Sequence, residues 1–168
     1  MSTLIKYTAN GATEIENAFV SVVDGEPVPQ GADIIVSLGR IKAEGEALLA
    51  SGVRVGVQIE PAEAVEDLAE LLPRLALVAV AFPKFRDGRA YTSATLLRQR
   101  LGFNGEVRAV GDVLREQAYV MTRCGIDAFV PADGSSAAEW SRAAGHFRHV
   151  YQTAADGRTP AYAEPGRR

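Results

Sequence analysis

Leu75-Ala76-Leu77-Val78-Ala79-Val80-Ala81-Phe82 runs without a break into Pro83-Lys84-Phe85-Arg86-Asp87-Gly88-Arg89-Ala90-Tyr91. The first stretch is almost wholly apolar, as expected of a strand covered on both faces. The stretch from Ser93 to Leu101 reads as a helix, closed by Gly102. Four charged side chains and a glycine therefore sit where a strand hands over to a helix. In α/β folds ligands bind at such handovers, because loops at strand C-termini vary without disturbing the core.

The same alternation extends on both sides. Strands are predicted over 33–38, 53–59, 106–110 and 126–130, rich in β-branched and apolar residues. Helices are predicted over 41–51, 61–72, 112–123 and 136–150, with Pro61 in a first turn and Asp112 as an N-cap. Five strands alternating with helices imply an α/β fold, a mostly parallel five-stranded sheet of right-handed βα units. A complete eight-fold barrel needs about 250 residues. The expected forms are therefore an open three-layer sheet or a truncated barrel-like array. Upstream, 14–29 reads as a β-hairpin or arm around Asp24-Gly25, limited by Pro27 and Pro29. Residues 1–153 are expected to form one α/β domain, and 154–168, which lack periodicity, a flexible tail.

The chain has 168 residues and a net charge of −3, which argues against bulk nucleic-acid affinity. Charge is uneven: Lys84 to Arg123 holds eight Lys/Arg against four Asp/Glu. That excess suits a small anionic ligand or an acidic partner surface, or is spent in salt bridges on helix faces. One cysteine, Cys124, allows no intrachain disulfide and no cysteine-ligated cluster from this chain alone. The N-terminus lacks a signal-peptide core, and no apolar run approaches the ~20 residues of a membrane span. The expectation is a cytoplasmic protein.

If the sheet is parallel, its strand C-termini share one rim. There lie Arg40, Lys84, Arg86, Asp87, Arg89 and Asp112, the candidate ligand-binding residues, together with Ser37, Gln58, Glu60 and Asp133. Lys84, Arg86 and Arg89 suit a sulfate, phosphate or carboxylate. Asp87 could instead tie the loop down through a neighbouring arginine, and Asp112 could cap a helix or act in proton transfer. Cys124 is expected to be a packed, unreactive thiol, since a helix C-terminus disfavours the thiolate. His146 and His149 stand three apart on the predicted last helix, a spacing that brings imidazoles together but lacks further ligands, so no metal site is assigned. Trp140 and Phe147 on that helix are expected to pack inward. No Rossmann, P-loop, nucleophile-elbow or dithiol motif is present, and no flavin, haem or iron–sulfur cofactor is expected.

The stretches Phe82 to Tyr91, Leu96 to Phe103, Gly105 to Leu114 and Arg123 to Phe129 together resemble the bacterial family called domain of unknown function 934. The likeness is long and specific from Leu75 to Phe129 and weaker from Asp33 to Leu72. Members are described as oxidoreductases of sulfite reduction, largely because they are encoded beside assimilatory sulfite reductase. The resemblance implies a place in sulfate assimilation and cysteine supply; the expected partners are sulfite reductase, a small oxyanion at the basic rim, or a second copy of the chain. It carries over no catalytic residue. With one cysteine and no dinucleotide fingerprint, the chain reads better as an accessory protein that binds the reductase or a sulfur oxyanion. The alternative is an oxidoreductase or other enzyme acting on a small anionic substrate at the rim.

Overall fold

The structure, a computed structural model, describes residues 3–166. Its strands are β1 (Leu4–Thr8), β2 (Gly11–Ile15), β3 (Phe19–Ser21), β4 (Asp33–Ser37), β5 (Val55–Ile59), β6 (Leu77–Phe82), β7 (Glu106–Gly111) and β8 (Ala128–Phe129). The helices are α1 (Leu38–Ala50), α2 (Arg89–Thr95), α3 (Ala118–Arg123) and α4 (Ala137–Ala144). One eight-stranded sheet runs in the order β2-β1-β8-β7-β6-β5-β4-β3. The six strands from β3 to β8 are parallel, and β1 is antiparallel to both of its neighbours.

From β3 to β8 each new strand adds beside the last, always in the same direction. Right-handed crossovers then put every covering segment on one face. An open three-layer sheet needs the order to reverse, so that expectation is corrected. The eight strands curl as a half-barrel instead. Five of them are the five predicted from the sequence.

The hairpin lies elsewhere than expected. It joins Leu4–Thr8 to Gly11–Ile15, with Thr8 paired to Gly11. Gly11 at φ 103° turns the chain there, which glycine does without a Cβ penalty. Residues 14–29 form no antiparallel pair of their own. Phe19–Ser21 instead adds parallel to β4, and Asp24-Gly25 is a local turn closed by Glu26 N–H on the Val23 carbonyl.

Ile15 ends β2 on one sheet edge and Phe19 opens β3 on the other. Four Cα steps span at most about 15 Å, so the two edges lie close and the curl is deep. Arg108 sits inside that curl with its side chain 3% exposed. Its Nε donates to Glu106 Oε1 at 2.7 Å and its Nη1 to Asn17 Oδ1 at 3.0 Å. The guanidinium lies 5.5 Å from the Phe19 ring centre. A buried cation persists only with such partners. Ile35, Leu77 and Ala79 pack on the same face, while Val57, Val78, Val80, Phe82, Val107 and Phe129 join the core beneath the helices.

Other boundaries moved for local reasons. Residues 61–72 form no α-helix, only 3₁₀ turns at Val65–Leu68 and Leu72–Arg74. Glu63, Glu66, Asp67 and Glu70 repel at helical spacing, and Pro73 blocks continuation. Helix α4 opens on Ser136 with Glu139 in a capping box and stops at Gly145, well short of 150. His146, Phe147 and His149 therefore lie beyond it, which corrects both the helical histidine pair and the inward Phe147. Phe147 is 51% exposed, whereas Trp140 is fully buried. His149 Nδ1 lies 2.8 Å from Glu164 Oε1. Within the segment expected as a tail, Ala155 N–H donates to the Arg123 carbonyl, Ala161 N–H donates to the Val150 carbonyl and Pro160 is buried; residues 167–168 lie outside the described residues. No helix among the described residues is long and apolar enough to cross a membrane.

Candidate functional site

Parallel strands bring β6 and β7 to a common C-terminal end, where Phe82 pairs with Gly111. The chain after β6 forms the loop 83–88, and the chain after β7 holds it. Asp112 N–H donates to the Phe82 carbonyl at 2.7 Å, and Asp112 Oδ2 accepts from Phe85 N–H at 2.8 Å. Asp112 is therefore the anchor of the basic loop. It caps no helix, because the chain first coils at Arg115–Gln117, where Gln117 Oε1 accepts from Leu114 N–H.

On this loop Arg89 grips Asp87 through both carboxylate oxygens, Nε to Oδ1 at 3.0 Å and Nη2 to Oδ2 at 2.7 Å. The Arg89 guanidinium holds the Asp87 carboxyl below the usual carboxylate range. Asp87 is thus a poor base, and Arg89 is neutralised for a ligand. Lys84 and Arg86 are different. Both are exposed, and among the described residues neither side chain has a hydrogen-bond or ion-pair partner.

Arg40 does not join them. It follows β4, two strands away, and its side chain is 8% exposed. Its Nη1 and Nη2 donate to the Val23 and Glu26 carbonyls at 3.0 and 2.9 Å, so it staples down the turn after β3. Ser37 Oγ donates to Asp24 and accepts from Arg40 N–H, which caps α1. Beside it a hollow of about 260 Å³ takes Ser21, Ser37, Gln58, Glu60 and Asp24 into its wall. The rim is therefore acidic from β3 to β5 and basic at β6.

The basic segment of the sequence does not make one patch. Arg98 donates to the carbonyls of Phe103, Gly105 and Gly125. Arg100 faces Glu66, Arg115 faces Glu139, Arg123 faces Asp156, and Arg108 is inside the curl. Of the eight cations from Lys84 to Arg123, only Lys84 and Arg86 have side chains without a partner among the described residues, and linear charge counting cannot reveal that. Cavities of about 720, 580, 360 and 260 Å³ open on the described surface, and none has Lys84, Arg86 or Asp112 in its wall. Lys84 and Arg86 thus stand on open surface rather than in the wall of any of these four cavities.

Behind the loop, Tyr91 meets the Phe82 ring edge-on at 5.1 Å and accepts from Gln117 Nε2 at 3.2 Å. Burial pushes its hydroxyl above the ordinary tyrosine range. Cys124 at the end of α3 is half-buried, less covered than expected, and burial pushes its thiol up. The folded state therefore holds the thiol proton more tightly than the unfolded chain. That contribution is complete below the ordinary thiol pKa of roughly 8.5 and is lost as pH rises through the folded value. Iodoacetamide at pH 8 is expected to modify native Cys124 about tenfold more slowly than the urea-unfolded chain. Equal rates would show that burial does not govern the thiol.

An α/β half-barrel whose strand C-termini carry a pinned cationic loop defines the class. The chain belongs to the bacterial protein family of unknown function DUF934, whose family model matches residues 56–162. The matched span runs from β5 onward and so holds Lys84, Arg86 and Asp112 but not Arg40. No curated protein matches the chain.

Proposed function

We propose that this protein is an accessory component of assimilatory sulfite reduction that binds a sulfur oxyanion, free or presented by the reductase, through Lys84 and Arg86. The sulfur chemistry comes from the family resemblance of the 82–129 motifs. The observation that carries the reading is the pair of cations left unneutralised on a loop that Asp112 fixes in place. A pinned loop loses little entropy on binding, and an arginine with a lysine suits a tetrahedral or pyramidal oxyanion. An accessory role also fits the carboxylates here, since Asp87 is held by Arg89 and Asp112 by Phe85 N–H.

The test is calorimetric titration of sulfite, sulfate and phosphate into wild type and a Lys84→Ala/Arg86→Ala variant. Wild type is expected to bind sulfite, and the double variant to bind it roughly tenfold or more weakly. Because both side chains are exposed, the variant should keep its melting temperature. Equal, negligible binding by both proteins rejects the reading.

A further inference from the structure

The geometry points to a second ligand site at the opposite end of the sheet, a cavity of about 580 Å³ that takes a small organic anion with a planar apolar portion. It opens between the chain entering β8, the end of α4 and the segment 155–158. Its size lies within the roughly 300–1,000 Å³ of small-molecule sites. No residue of the Lys84–Arg86 loop touches it, so it stands apart from the rim.

The charge of its wall is positive once each pair is resolved. Arg98, Arg148 and Arg158 line it together with Asp127 and Asp156. Asp156 gives both oxygens to Arg123 Nη1, at 2.5 and 2.8 Å. Asp127 is held by Lys6 Nζ at 2.9 Å and by Val107 N–H at 2.9 Å, with the Arg98 guanidinium at 3.4 Å. Neither carboxylate therefore brings uncompensated negative charge into the space.

The cations are not spent in the same way. Arg158 Nη2 donates to the carbonyls of Phe147 and Arg148, at 2.9 and 2.7 Å. Backbone carbonyls fix its position without cancelling its charge, and its Nη1 and Nε keep their donors. The Arg148 side chain is exposed and has no partner among the described residues. Two guanidiniums with open donors on one wall are suited to a carboxylate, phosphate or sulfonate. Phe147 and Tyr7 supply aromatic surface beside them, which favours a planar group on the same ligand.

The test uses 8-anilino-1-naphthalenesulfonate, an aromatic sulfonate, and its uncharged counterpart N-phenyl-1-naphthylamine. The folded protein is expected to bind the sulfonate saturably at one site, with blue-shifted fluorescence. Arg148→Glu should weaken it roughly tenfold or more, while Arg148→Lys stays within about threefold of wild type. The Lys84→Ala/Arg86→Ala variant should bind it unchanged, which separates this site from the rim. Melting curves establish that each variant is folded. Absence of saturable binding, equal affinity for the uncharged probe, or an unaffected Arg148→Glu protein overturns the assignment.

Discussion

Trp140→Ala is expected to destabilise the fold by about 3–5 kcal/mol, among the largest effects of any single truncation here. Trp140 is wholly buried and stacks on Phe129, with ring centres 4.5 Å apart and planes 26° from parallel. Its Nε1 donates to Ser135 Oγ at 2.8 Å, and Ser135 Oγ donates to Asp133 Oδ1 at 2.7 Å. Removing the indole opens a cavity and also takes away the donor to Ser135 Oγ, which keeps its bond to Asp133. The damage spreads because β8 is only Ala128–Phe129, and β1 lies beside it. Helix α4 also supports the hairpin, with Ser141 Oγ directly under Gly11. Thermal unfolding should show a fall of about 10–15 °C in Tm for a domain of this size. Trp140→Phe, which keeps a ring but loses the hydrogen bond, should lose less than half of that. A fall of only a degree or two for Trp140→Ala would mean the indole is not the clamp between α4 and the sheet.

The strands from β4 to β8 were legible because each is a short apolar run bounded by glycine or proline signals. The parallel sheet and its rim followed from that alternation alone. The first hairpin was harder to place. The visible cue was Asn10-Gly11 between Leu4–Thr8 and Gly11–Ile15, but the alternation there is diluted by Lys6, Thr8 and Glu14. Asp24-Gly25 offered an equally good turn signal, flanked by the more apolar 18–23, and the stronger hydrophobic run drew the assignment to the wrong place. The three-layer expectation failed for a different reason. Local periodicity does not record strand order, and only the order decides whether crossovers share a face. Within the site, loop 83–88 and its neighbour Asp112 were identifiable from position. Which cations remained unneutralised was not, because Arg98, Arg108 and Arg123 meet partners 5 to 91 residues distant. Arg40 shows the same limit in reverse: a rim position alone cannot reveal that backbone carbonyls have taken its donors.

Gly111→Ala should disrupt fold and rim together. Gly111 ends β7 at φ 99°, a left-handed conformation that costs an L-residue about 1–2 kcal/mol. A Cβ there would also sit 2.4 Å from the Phe82 carbonyl oxygen and 3.0 Å from the Phe82 carbonyl carbon. Those are backbone atoms of the adjacent strand, so no side-chain rotation relieves the clash. Relief requires β7 to move away from β6, and that stretches the 2.7 Å bond from Asp112 N–H to the Phe82 carbonyl. The combined cost is about 3–4 kcal/mol, seen as a Tm lowered by about 8–14 °C. The functional consequence follows from the same displacement. Asp112 reaches Phe85 N–H only while the chain after β7 stays against β6. Once it shifts, Lys84 and Arg86 sit on an unpinned loop and each binding event must order it. Sulfite affinity at a temperature where the variant is still folded is therefore expected to fall roughly as far as in Lys84→Ala/Arg86→Ala. Asp112→Ala separates the two effects, since it releases the loop without the backbone clash. That variant should weaken sulfite binding while costing only about 1–2 kcal/mol of stability. A Gly111→Ala protein with wild-type Tm would show that the close approach of β7 to the Phe82 carbonyl is not what fixes the rim.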